Sequence, residues 1–280
     1  MTRFTDMVGC LYPVQLAGMG GGVGGPDLAA AVRDAGGLGM VAPGEAVPSG
    51  CGVSFLAPFV RSLHDVTAAT RQGHIIEFFY GPPNPTLVAC AHDGEALVGW
   101  QVGSAAEAAA AEAVGCDYVI AQGIEAGGHL RGDQPLDVVV AGVLARVTVP
   151  VVAAGGIGTP ERVAELLAAG ADAVRVGTAF LVCPEARTHP DYVANLLTAS
   201  GDDTVVTGWF NKGWPNAPHR VLRVALDAAQ GSGWRSEKPP ARDDIRSAAD
   251  MAQYAGTGVG GVTTSQSAHE LLRRLASKLA

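Results

Sequence analysis

The chain has 280 residues, of which 48% are hydrophobic and 16% charged, which suits one large α/β barrel and is the opposite of a disordered composition. The formal net charge of −8 comes with no long basic run, which argues against nucleic acid as a partner. No apolar run reaches the roughly 18 residues of a membrane span, and MTRFTDMVGCLYP has no signal-peptide core, so a cytoplasmic protein without a membrane partner is expected.

The first apolar run is VQLAGM (14–19), and it enters the glycine-dense AGMGGGVGG (17–25). That stretch looks like a nucleotide fingerprint, but the strand before it is short and no acidic partner follows at the usual distance. A backbone wall against a flat ligand ring is the better reading. PDLAAAVRDAGG (26–37) opens on Pro and Asp and closes on Gly, as a helix does. LGMV (38–41) and VSFLA (53–57) are the next strands, and APGEAVPSGCG (42–52) between them is too rich in Gly and Pro for a helix. IIEFFY (75–80) and ALVGWQV (96–102) follow, then SAAEAAAAEAVG (104–115), where Ser104 and Glu107 have capping-box spacing. YVIAQG (118–123), the helix QPLDVVVAGVLARV (134–147), VPVVAAGG (149–156), the helix TPERVAELLAAG (159–170) and AVRVGTAF (173–180) complete the alternation.

These eight runs are too continuous for half-exposed antiparallel strands and read as parallel strands buried on both faces. Eight strand–helix units predict a (β/α)8 TIM barrel over residues 1–200. Residues 201–280 show no second core and read as a C-terminal helical and loop appendage packed on the barrel. The stretch after the last strand, from about residue 182, begins with the helix PEARTHPDYVANLLTA (184–199). It continues through the polar run RSEKPPARDD (235–244) and the turn YAGTGVGGV (254–262) to the amphipathic SAHELLRRLASKLA (267–280). The Val/Leu-rich tail suggests a homodimer. Cys10, Cys51, Cys90, Cys116 and Cys183 are widely spaced with no CxxC, so neither a disulfide framework nor a metal is expected.

A barrel of this kind carries its site at the C-terminal strand ends, with phosphate commonly held after the last two strands. Gly155 and Gly156 end one of these, and Gly177 and Thr178 the other. Their amides, the Thr178 hydroxyl and a nearby helix N-terminus suit an anion. In AQGIEAGGHL (121–130), His129 follows the sixth run behind Gly127 and Gly128. It is either loop polar surface or a proton-transfer group aimed by its glycines. Glu125 either orients it or ends the strand in solvent. His64, His74, His92, His189, His219 and His269 have no partner in sequence and read as structural. No HxxxH or GxSxG pattern supports a metalloenzyme or a hydrolase.

AQGIEAGGH, VPVVAAGGI, RVGTAF, PVQLAGMGG and AGGLG together resemble the nitronate monooxygenase (2-nitropropane dioxygenase) family, with further likeness at HPDYVANLL and YAGTGVGG. The QGxEAGGH motif is shared with FMN-dependent enoyl-[acyl carrier protein] reductases. The resemblance implies non-covalent FMN and oxidation of alkyl nitronates by O2 to a carbonyl product and nitrite, the partners being a small-molecule substrate and O2. It implies that His129 is catalytic, that Gly18, Met19 and Gly20 line the isoalloxazine, and that Gln122 and Gly127 lie on the flavin. Gly156 would meet the phosphate, with Arg175, Val176, Gly177 and Thr178 along it. Family members usually carry Gln where Arg175 stands and Asn where Ser54, a shorter donor to the flavin, stands. Arg175 would pair with phosphate or stabilise negative charge on reduced flavin. An NAD(P)H-dependent reductase of an enoyl or CoA thioester and a non-catalytic flavin-binding barrel are the alternatives.

Overall fold

A computed structural model describes the chain except residues 212, 213, 215, 234–237, 245–247 and 280. Part of the polar run 235–244 and the last residue of the closing segment thus lie outside the described residues.

The chain opens on a short helix, α1 (Arg3–Val8), started by a reciprocal capping box between Thr2 and Thr5. Then come β1 (Val14–Leu16), α2 (Pro26–Asp34), β2 (Met40–Val41), β3 (Gly52–Leu56), α3 (Leu63–Thr70), β4 (Ile75–Phe79), α4 (Pro85–Asp93), β5 (Leu97–Val102) and α5 (Ala105–Ala113). β6 (Tyr118–Gln122) is followed by a two-residue strand, β7 (Gly128–His129), then α6 (Leu136–Leu144), β8 (Val151–Ala154), α7 (Pro160–Ala168) and β9 (Ala173–Val176). The tail holds α8 (Pro190–Thr198), β10 (Thr204–Thr207), β11 (His219–Leu222), α9 (Arg223–Ser232) and α10 (Ala268–Leu275).

Each of the eight apolar runs forms a strand, and the eight pair in parallel in the order β1-β9-β8-β6-β5-β4-β3-β2. A single parallel bridge, Gln15 to Leu38, joins the two ends, so the sheet closes as a (β/α)8 barrel. No helix forms between β2 and β3, where Gly and Pro are dense. Ser104 caps α5 through the Glu107 amide, while the Glu107 carboxylate turns back to the Gly103 amide at 2.9 Å.

Side chains alternate along each strand, which separates two cores. Tyr118, Ile120, Val152, Ala154 and Ala173 fill the barrel interior with Phe4. Val119, Ala121, Val151, Ala153, Val174 and Val176 point out into the core shared with the helices. α1, absent from the sequence expectations, plugs the barrel. Phe4 meets Tyr118 edge to face at 5.3 Å, and Arg3 forks onto Asp172 at the N-terminal end of β9.

α10 packs against α2 and α7 and fills the last place in the helix ring. Its Leu271, Leu272 and Leu275 are buried within the chain. Those three leucines of the tail are thus spent on the core of this chain, whereas Val206 and Val224 of the tail are exposed. A second, antiparallel sheet runs β10-β11-β7 and ties the tail to the loop after β6. Among the described residues no helix is long and apolar enough to cross a membrane.

Candidate functional site

A cavity of about 590 Å³ opens at the C-terminal strand ends, within the roughly 300–1,000 Å³ usual for cofactor and ligand sites. Much of its wall is backbone. The turn after β1 brings Gly18, Met19 and Gly20, and β3 brings Ser54. Gly127 and Gly128 follow β6, Gly155 and Gly156 follow β8, and Gly177 and Thr178 follow β9. Gly156 has φ +67°, and a Cβ there would lie 2.9 Å from Glu125 Cβ, so only glycine fits without displacement. A Cβ on Gly18 would meet Ser54 Cβ at 2.4 Å, whereas one on Gly20 meets nothing within 4 Å. Gly20 borders open space and lies on the cavity rim. Thr178 Oγ1 accepts from the Gly256 amide at 3.0 Å, which leaves its O–H to donate elsewhere.

The loop after β6 is held from both sides. Gln122 Nε2 donates to the His129 carbonyl at 2.9 Å, and Gln122 Oε1 accepts from the Arg131 amide at 2.9 Å. One donor and one acceptor of the Gln122 amide thus hold the loop, and the residue, expected on a flavin, borders the cavity. Glu125 neither orients His129 nor ends in solvent, because its Oε2 accepts from the Leu136 amide at 2.9 Å and caps α6.

His129 lies opposite His219 in the small sheet. Its ring centroid is 4.0 Å from Trp214, 5.2 Å from His219, 5.7 Å from Tyr254 and 6.2 Å from Tyr80. His129 Nε2 is buried and has no hydrogen-bond partner among the described residues. Burial first, and His219 second, push its pKa down from 6.5 to about 3. The imidazole is therefore neutral at physiological pH. His219 is fully buried, and its Nε2 accepts from the Phe210 amide at 3.3 Å. That fixes the proton on Nδ1, which donates to the Ala217 carbonyl at 3.0 Å. Burial lowers the pKa of His219 as well. Tyr80 holds φ +65°, a conformation costly for a bulky side chain, while its hydroxyl donates to the Asn216 carbonyl at 3.1 Å.

The floor is polar. Arg175 donates from Nε to Gln15 Oε1 at 3.0 Å and from a terminal nitrogen to Gln101 Oε1 at 2.8 Å, and it pairs directly with Glu77. Two expectations are corrected here. Arg175 points into the barrel interior with its guanidinium taken by Glu77, Gln15 and Gln101, so it is no phosphate ligand at the β9 turn. Val176 points outward into the helix-facing core and does not line the cavity. The other predicted residues, Gly18, Met19, Gly20, Ser54, Gln122, Gly127, His129, Gly155, Gly156, Gly177 and Thr178, do line it, as does Arg175.

Sequence reasoning missed what the tail brings. Tyr254, Gly256 and Gly258 line the same cavity, and Trp214 and His219 enclose His129. The glycines of YAGTGVGG were a usable signal, because a Cβ on Gly258 would lie 2.6 Å from the Gly156 carbonyl carbon.

A closed (β/α)8 barrel with a glycine-walled cavity and a shielded neutral histidine at its C-terminal mouth defines the class. The nitronate monooxygenase family model matches residues 52–278, and the chain belongs to that family. The chain is 31% identical over 293 aligned positions to a nitronate monooxygenase of Pseudomonas aeruginosa, covering 81% of this chain and 82% of that one. It is 33% identical over 241 positions to an indene-4-carboxyl-CoA dehydrogenase of Rhodococcus jostii, covering 80% of this chain and 66% of the relative's length. Among solved structures, FabK from Thermotoga maritima superposes with a TM-score of 0.81 at 26% identity, covering 99% of this chain and 95% of that one. A nitroalkane oxidase from Streptomyces ansochromogenes gives 0.79 at 28% identity, covering 99% and 97%. The family and these neighbours are flavoprotein oxidoreductases.

Proposed function

We propose that this chain is an FMN-dependent oxidoreductase acting as a nitronate monooxygenase, which oxidises an alkyl nitronate with O2 to a carbonyl product and nitrite. The observation that carries it is the neutral imidazole of His129, with Nε2 unpartnered among the described residues, beside a glycine-walled cavity large enough for the cofactor. The residues fit FMN. Gly155, Gly156, Gly177 and Thr178 would hold its phosphate through amides and the free Thr178 O–H. Gly18, Met19 and Gly20, which share the cavity wall, would face its ring. Bound FMN supplies reversible electron uptake and delivery to O2.

His129 presents an uncharged imidazole to the substrate space. An anionic nitronate within about 4–6 Å favours the protonated ring, but from a pKa of about 3 the ring stays mostly neutral at physiological pH. It would meet the nitro oxygens as a neutral hydrogen-bond partner at Nε2, once one of the rings that bury this nitrogen gives way. The aromatic rings around it keep water away from that nitrogen.

A second reading, an NAD(P)H-dependent reductase of a CoA or carrier thioester, draws support from the CoA-linked relative and from FabK. Anaerobic mixing of the FMN-loaded protein separates the two. Bleaching by an alkyl nitronate, with nitrite release on admitting O2, supports the first; bleaching by NADH alone supports the second. Turnover unchanged in His129→Ala with FMN bound removes the histidine from either mechanism.

A further inference from the structure

Beneath the cavity lies an ion pair that the proposed chemistry does not use. The Arg175 and Glu77 side chains are 5% and 1% exposed. The pair is ordered relative to the cavity. Arg175 and Gln101 line it, while Glu77 lies behind them, held by Gln15 Nε2 and Tyr118 Oη at 2.7 Å each. The guanidinium thus stands between the carboxylate and the ligand space. Arginine does not deprotonate in proteins, so this sign persists at every working pH. The pair is neutral as a whole, but its positive end faces the ligand. In a poorly polarisable interior such a dipole is only weakly screened.

We propose that Arg175 and Glu77 form a polarised floor that favours negative charge on the ring of the bound flavin and so raises its reduction potential. The inference rests on the FMN reading above. Arg175 exerts the field, and Glu77 is a positioning residue that aims the guanidinium and moderates its charge.

The two charges predict opposite effects. Arg175→Gln removes the positive end, and whether Glu77 stays ionised or takes up a proton, the floor loses its preference for an anion. Reduced FMN should then bind at least tenfold more weakly relative to oxidised FMN, which is a fall of about 30 mV in a two-electron midpoint. Glu77→Gln leaves the guanidinium uncompensated, and the midpoint should rise. A purely structural role would loosen both redox states alike.

The test is redox titration of the FMN-loaded wild type and both variants at one pH. Shifts of opposite sign support the inference; shifts of one sign, or none with FMN still bound, overturn it. A wild type that takes up no FMN overturns the cofactor reading as well, so flavin uptake tells the two failures apart. Removing one partner of a buried pair can prevent folding. In that case Arg175→Met with Glu77→Gln, which leaves no unpaired charge, must show a midpoint below wild type, and an unchanged midpoint overturns the inference.

Discussion

At the scale of the residue, His129 carries the site and a cost. Its folded pKa of about 3 lies below the 6.5 of an unfolded chain. Above pH 6.5 both states are neutral and the histidine is neutral in its effect. As pH falls below 6.5 the unfolded chain binds the proton first, so stability is lost towards pH 3. At pH 5.5 this amounts to about 1.4 kcal/mol relative to pH 7.5. His219 is shifted in the same direction by burial and adds to the loss. Urea unfolding of the cofactor-free protein at the two pH values measures the effect. His129→Phe should flatten part of the slope, and a wild type equally stable at both pH values would show that the ring is not held neutral. His129 itself was legible in the sequence through its two glycines. Its enclosure was not, because Trp214, His219 and Tyr254 lie 85 or more positions further along the chain.

At the scale of the element, the barrel strands were legible because continuous β-branched runs have few other ways to be buried. β7 and β11 were not, since two and four residues without apolar continuity carry no periodic signal. The inward direction of Arg175 was within reach. Strict alternation over AVRV places Ala173 and Arg175 on one face of β9 and Val174 and Val176 on the other. The glycine turns separate two kinds of glycine by experiment. Gly156→Ala places a Cβ at φ +67° and 2.9 Å from Glu125, which costs about 1–2 kcal/mol in backbone conformation alone and lowers Tm. Gly20→Ala meets nothing within 4 Å and has no positive φ, so it leaves the cofactor-free Tm unchanged while its methyl weakens FMN binding. Melting curves and flavin titration of the two variants check both halves. An unaltered FMN affinity in Gly20→Ala would move the ring away from the β1 turn.

At the scale of the whole molecule, the tail completes the barrel's outer ring. α10 sits between α2, which follows β1, and α7, which precedes β9, and the pairing of those two strands joins the first and last barrel units. Its polar face, with a Ser267–Glu270 capping box, is what an amphipathic surface helix requires. Leu271, Leu272 and Leu275 go into the core with 1%, 0% and 0% exposure. Burying a leucine contributes roughly 1.5–3 kcal/mol, so three together are comparable with the 5–15 kcal/mol stability of an ordinary domain. A chain ending at Gln266 should therefore fail to reach a cooperative native state. Leu272→Ala alone should lose about 2–5 kcal/mol and lower Tm while the chain still folds. Because no residue of α10 lines the cavity, the residual folded Leu272→Ala protein should bind FMN with wild-type affinity at low temperature. Denaturant unfolding of the point variant, near-ultraviolet circular dichroism of the truncated chain and flavin titration at 10 °C measure the three outcomes. A truncated chain that unfolds cooperatively at the wild-type midpoint would show that the barrel closes without its last helix.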